Sequence, residues 1–100
     1  MKEIYIVEGR CGVYEDKCEW PVKAFASKQK AEEFAKSCLK IAEEGCLKYG
    51  SWQNLRFDGI YNFNENNEPK WQHPLDKFFQ TDTDGTEYSV YSVLYDESEE

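Results

Sequence analysis

Apolar positions along the chain follow two different periods, and each change of period marks an element. In EIYIVEG, residues 3–9, Ile4 and Ile6 point one way while Tyr5 and Val7 point the other. Both faces are therefore apolar, which predicts a strand in the interior of a sheet. Gly9 and Gly12 bracket a turn, GRCG. WPVKAFAS, residues 20–27, predicts a second strand, with Pro21 near its start, where a missing amide donor is tolerated.

The period then lengthens. Ser27 offers an N-cap oxygen. Ala31, Phe34, Ala35, Cys38 and Ala42 recur at helical spacing on one face, widened by Leu39 and Ile41. Gly45 is the predicted helix stop, with Cys46 packing back on Ile41. The polar face balances Lys28, Lys30, Lys36 and Lys40 against Glu32, Glu33, Glu43 and Glu44, with Glu32 and Lys36 as an i,i+4 pair. Lysines lead and glutamates finish, against the macrodipole, so packing rather than end charge must hold this helix.

Residues 47–80 alternate less cleanly. LRFDGIYNF and PKWQH read as two strands around the polar loop NENNE. HPLDKFF reads as a turn and an apolar plug, Phe78 and Phe79. The last strand is predicted from Glu87. Tyr88 and Val90 share one parity, and Tyr91, Val93 and Tyr95 share the other. That shift predicts either a bulge near Tyr91 or a strand covered on both faces. The predicted order is β-β-α-β-β-β: an α+β domain, residues 1–95, with one amphipathic helix on a mostly antiparallel sheet of about four to five strands. The first and last strands are expected to pair in its middle. Residues 96–100, DESEE, are an acidic tail expected to fray.

A chain of 100 residues makes one domain with a modest core. Six Phe, seven Tyr and three Trp offset that limit, since aromatics bury much area per residue. The apolar share of 40% excludes a disordered chain. No stretch approaches the ~20 apolar residues of a membrane span, so no membrane partner is expected. The first apolar run, Ile4 to Val7, is too short and too closely flanked by acids for a signal peptide. A cytoplasmic location is the expectation. Cys11, Cys18, Cys38 and Cys46 then read as free thiols. Neither neighbouring pair has the short spacer of a zinc knuckle, and one helix would hold Cys38 and Cys46 too far apart to share a metal. No metal or other cofactor is expected.

Charge narrows the partners. All 12 bases lie in residues 1–80, whereas the last twenty residues hold seven acids and no base. A nucleic-acid binder needs a basic stripe, so direct nucleic-acid binding is disfavoured; a basic protein partner, or imitation of a nucleic-acid backbone, fits better.

No constellation asks for catalysis. In TDTDG, residues 81–85, an EF-hand register puts Gln80 at position 1 and Tyr91 at position 12, so two calcium ligands fail and a turn is the better reading. GRCG lacks the Gly-Lys-Ser/Thr ending of a phosphate loop. The single histidine, His73, sits in a turn before Pro74, and spacing alone cannot pair it with a thiol. Trp52, in the polar loop YGSWQN beside Tyr49, could be an interaction hot spot, although a lid on the small core is the commoner use of such a residue.

Two stretches, YIVEGRCGVYEDKCEWPVKAFASKQKAEEFA and HPLDKFFQTDTDGTEYSVYSVLYDE, resemble a group of small uncharacterised proteins encoded by phages and prophages. Gly12, Tyr14, Asp16, Glu19 and Trp20 match the group's first loop. Ala24, Phe25 and the helix from Lys28 follow its strand and helix. Pro74, Leu75, Asp76, Asp82, Gly85, Thr86, Tyr88 and Val90 match its C-terminal pattern. The likeness covers about two thirds of the chain, leaves residues 45–72 unmatched, and implies no established activity. It implies a protein of the host cell cytosol.

Together these observations lead to the expectation of a non-catalytic protein-binding module. It would modulate a host or phage protein, with inhibition of a host defence system, anti-CRISPR or other, as one form. An acidic nucleic-acid mimic acting on a basic DNA- or RNA-binding protein is the alternative, and a small metal-binding or enzymatic domain a second. Tyr14, Asp16, Glu19, Tyr49, Trp52, Asp96, Glu97, Glu99 and Glu100 are the candidate partner-binding residues. A homodimer through an exposed strand edge is compatible with each reading.

Overall fold

The chain's computed structural model describes residues 2–13 and 17–96. Strand β1, Lys2–Cys11, lies between β2, Cys18–Phe25, and β3, Thr86–Tyr95, in one antiparallel sheet of order β2-β1-β3. β1 takes the central place its pattern predicts, but only its Tyr5–Val7 face is covered by the helix core; Ile4 and Ile6 share the opposite face with the exposed Val93 and Tyr91. β1 and β3 run in register over ten consecutive pairs, from Lys2 with Tyr95 to Cys11 with Thr86. Against β2 the register slips between Val7 and Glu8, one residue from Pro21, whose missing amide weakens the ladder there.

Helix α1, Lys28–Tyr49, covers one face of the sheet. Ser27 caps it as expected, its side-chain oxygen accepting from the Lys30 amide at 3.3 Å. Ala31 and Ala35 pack on Val7 with Tyr5, Val22, Phe25, Phe34, Tyr88 and Val90 around them. Alanine at these positions lets the helix approach the sheet closely, and larger residues close the sides.

Gly45 does not stop the helix. The stop is Gly50, which takes the left-handed conformation at φ 95° while its amide donates to the Cys46 carbonyl at 2.8 Å. Gly45 is buried inside the helix for a different reason: a Cβ there would sit 2.6 Å from the Trp71 ring. The glycine is a socket for an indole.

The predicted strands in residues 55–73 are not present. Ser51 caps a short helix α2, Trp52–Asn54, accepting from the Asn54 amide at 3.1 Å. The chain then widens into a π-helical stretch, Leu55–Ile60, closed by an i→i+5 bond from the Tyr61 amide to the Arg56 carbonyl at 2.9 Å. Here Leu55 and Gly59 are the buried positions, a helical interval that strand-like alternation of Leu55 with Phe57 disguised. The NENNE turn does form. Asn64 accepts from the amides of Asn66 and Glu68 through its side chain, and Asn67 is left-handed at φ 62°. The flanking residues, however, share a single bridge, Phe63 with Pro69. The fold is thus α+β with three strands among the described residues, in the order β-β-α-α-β, and the segment between α1 and β3 forms a second lobe. Ala42, Leu55 and Phe79 make its core with Tyr49, Trp52, Ile60, Trp71 and Tyr88 packed against them.

No bulge interrupts β3 at Tyr91, and β3 is not covered on both faces. Its change of parity has another cause. Tyr88 and Val90 face the helix, whereas Tyr91, Val93 and Tyr95 lie on the side that α1 leaves open, 45%, 43% and 52% exposed. No helix among the described residues is long and apolar enough to cross a membrane.

Candidate functional site

Two places concentrate polar or exposed apolar groups, and their geometry assigns them different tasks. The first is a buried knot around Asp76, which is 1% exposed. Its carboxylate accepts from the Trp20 indole N–H at 2.9 and 3.2 Å, from the Tyr88 hydroxyl at 2.8 Å and from the Phe78 amide at 3.2 Å. One side chain thereby ties β2 and β3 to the loop that precedes β3. Charge-assisted bonds of this kind are the strong ones, and they are what a buried carboxylate needs to stay in place.

His73 completes the knot. Its Nδ1 accepts from the amides of Leu75 and Asp76, both at 3.1 Å, and its Nε2–H donates to the Cys38 carbonyl at 2.9 Å. Both ring nitrogens are therefore engaged by backbone, which fixes the tautomer and leaves none to serve a substrate. Burial, reinforced by the Asp76 charge, pushes the Cys38 thiol up to about 12. Tyr88 is raised well above its ordinary value by burial first and Asp76 second. A thiol and a phenol held protonated are poor nucleophiles. The knot fastens the HPLD turn to the sheet and the helix.

The TDTDG segment is a turn. The Gly85 amide donates to the Asp82 carbonyl at 2.8 Å, and the Asp82 carboxylate accepts from the Thr83 amide at 2.7 Å and from Arg56 at 3.3 Å. Gly85 is left-handed at φ 89°, and a Cβ on it would meet the Trp52 ring at 2.8 Å. No group of three or more His, Cys, Asp or Glu able to hold a metal occurs among the described residues.

The second place is the helix-free face of the sheet. Strand pairing puts Ile4 beside Val93, Ile6 beside Tyr91 and Ala24, and Lys2 beside Tyr95. Side chains directly opposite in an antiparallel pair share a face. The result is a contiguous apolar surface of Ile4, Ile6, Ala24, Tyr91, Val93 and Tyr95. The remaining half of the same face is polar, with Glu8, Arg10, Glu19, Ser89 and Glu87. There Arg10 pairs with Glu87 at 3.0 Å. Glu19 is held below the usual carboxylate range by the Lys17 ammonium at 2.8 Å.

The first and last strands do pair, but β3 lies at the edge of the sheet and not in its middle: among the described residues it pairs with β1 alone, which leaves its other edge open. The two edge strands differ in kind. β2 carries Pro21, Lys23 and the register slip, the devices that discourage a further strand. β3 carries neither proline nor lysine, and its pairing is unbroken.

The candidate residues named from sequence do not gather at one spot. Glu19 lies on the polar half of the helix-free face. Asp96 follows Tyr95 at its apolar end. Tyr49 and Trp52 pack onto the Ala42–Leu55–Phe79 core, with Trp52 lying over Gly85. Tyr14, Asp16, Glu97, Glu99 and Glu100 lie outside the described residues. Ile4, Ile6, Tyr91 and Val93 were missed by the sequence reading as surface residues. Their signal was the parity shift at Tyr91, which pointed equally to a bulge. Comparison of the chain with protein-family models, curated proteins and solved structures gives no significant match.

Proposed function

We propose that this chain is a non-catalytic protein-binding module that docks a protein partner on the helix-free face of its sheet. The observation that carries this reading is the contiguous surface of Ile4, Ile6, Tyr91, Val93 and Tyr95, presented on a rigid backbone beside an unguarded strand edge. Exposed apolar area on regular structure marks interaction sites, and tyrosine is a favoured anchor residue there.

Charge selects the partner's chemistry. The surface ends at Tyr95, where the acidic stretch DESEE begins. A complementary partner offers an apolar patch bordered by lysine or arginine. A second copy of this chain, with net charge −8, brings like charge to the same place. The resemblance to phage-encoded proteins supports a host or phage protein as the partner, with inhibition of a host defence component as the effect.

Val93→Arg tests the site. Val93 is 43% exposed, so the fold should tolerate the change, while an unpaired charge in the middle of the patch should weaken binding about 100-fold, or roughly 2.7 kcal/mol. Affinity should also fall as salt rises, because the basic rim is screened. Equal capture of the same partner by wild type and Val93→Arg would refute the assignment. A dimer of this chain that Val93→Arg dissolves would replace the partner by a second copy. Binding that needs only Asp96–Glu100 and ignores Val93 would favour the nucleic-acid mimic.

A further inference from the structure

Cys11 ends β1 and Cys18 begins β2, and the two are direct cross-strand partners in the last pair of the β1–β2 ladder, at the end where the chain passes from one strand to the other. Directly opposed residues in an antiparallel ladder lie about 4.5–5.5 Å apart at Cα, inside the range of about 4.4–6.8 Å that a disulfide requires. Their side chains leave the same face of the sheet. Both are free thiols. They are close enough for the Cys18 charge to contribute, after burial, to the raised position of Cys11, which Arg56 partly offsets. The other two cysteines have no such placement. Cys38 is fully buried in α1 beneath the Asp76 knot, and Cys46 lies on the C-terminal part of the same helix.

We propose that Cys11 and Cys18 form a redox-active dithiol that closes to an intramolecular disulfide on exchange with a small-molecule disulfide such as oxidised glutathione. Cys18, the more accessible of the two, attacks one sulfur of the glutathione disulfide as its thiolate. This forms a Cys18–glutathione mixed disulfide and releases one glutathione, which takes up the proton Cys18 lost. Cys11 then loses its proton and attacks the Cys18 sulfur. The Cys11–Cys18 bond forms, and the second glutathione leaves with that proton. Two thiols are oxidised and one disulfide is reduced, so no further electron acceptor is needed. Cys11 is the natural resolving group because it is the more buried of the two, 8% exposed, and stands directly opposite Cys18. The bond would cross-link the ends of two strands that are already paired, adding a covalent tie to a short loop without moving the sheet. This inference stands independently of the docking face.

Native protein exchanged with glutathione disulfide, then alkylated and mapped by mass spectrometry, tests it. Wild type should lose two hydrogens, leave Cys38 and Cys46 as the alkylated residues, and yield a Cys11–Cys18 cross-linked peptide. Its Tm should rise by about 10 °C, the effect expected of a ring this short in a domain this size, and fall back on reduction with dithiothreitol. Cys18→Ser should show no cross-link and no Tm rise. Cys46→Ser should behave as wild type. A wild-type product that carries glutathione adducts with no internal bond would overturn the proposal, as would a bond mapped to Cys46 or four thiols still free.

Discussion

Removing the Asp76 carboxylate should be among the most damaging single changes to this fold. Asp76→Ala leaves three donors without an acceptor: the Trp20 indole N–H, the Tyr88 hydroxyl and the Phe78 amide. At about 1–3 kcal/mol for each donor left unsatisfied the three amount to about 3–9 kcal/mol, with the two part-buried ones toward the low end, and relief of the carboxylate's own burial returns several kcal/mol, so the net loss should be about 1–5 kcal/mol. Trp20→Phe removes one donor and leaves the carboxylate two partners, which should cost about 1.5–3 kcal/mol. The two changes share one interaction, so the double variant should lose less than the sum of the singles. Urea unfolding followed by circular dichroism at neutral pH measures all three. A second readout is specific to the charge. In Asp76→Asn the anion beside Tyr88 is gone, and the Tyr88 hydroxyl should ionise at lower pH than in wild type, seen in the ultraviolet phenolate band. An Asp76→Ala protein within about 0.5 kcal/mol of wild type would place this change among ordinary surface substitutions, and the knot would not be what ties the loop to the sheet.

Further consequences can be checked in the same way. Gly45→Ala gains about 1 kcal/mol of helix propensity but puts a Cβ 2.6 Å from the Trp71 ring; overpacking of about 1–3 kcal/mol should win, giving a lower urea midpoint. Leu55→Ala empties the fully buried centre of the second lobe and should cost about 2–5 kcal/mol in the same assay. Stability should fall on the alkaline side. The folded Cys38 thiol is raised from 9.0 to about 12, so the unfolded chain releases this proton first and is favoured as pH climbs. The contribution is intact below pH 9 and fades at about 1.4 kcal/mol per pH unit up to 12. Cys38→Ala should flatten that part of the urea-midpoint profile.

Much of this architecture was legible in the amino-acid pattern where one local rule governed a segment. Ser27 and the Ala31–Ala35–Cys38–Ala42 stripe located α1, and the two-sided apolar run of β1 located the centre of the sheet. The reading failed where a tertiary contact used a residue for a second purpose. Gly45 looks like a terminator, yet it is small so that Trp71 can lie on the helix, and nothing within α1 announces a tryptophan 26 residues downstream. Leu55 and Phe57 alternate as a strand would, but Ser51 and Gly50 set a helical start that their spacing does not show. The Asp76 knot was invisible as a knot, because its members come from β2, α1, the HPLD turn and β3. The helix-free face was half visible. The parity of Tyr91, Val93 and Tyr95 was clear, and only the position of the helix decided that this parity faces outward.

Site-specific photocrosslinking from position 93 in living cells tests the docking face most directly, with position 33 on the polar side of α1 as the reference. The account predicts one protein partner joined at position 93, absent at position 33, and lost when Tyr91 is also changed to Asp. Equal cross-linking from both positions, a self-cross-linked dimer as the product from position 93, or no cross-link at all would contradict it.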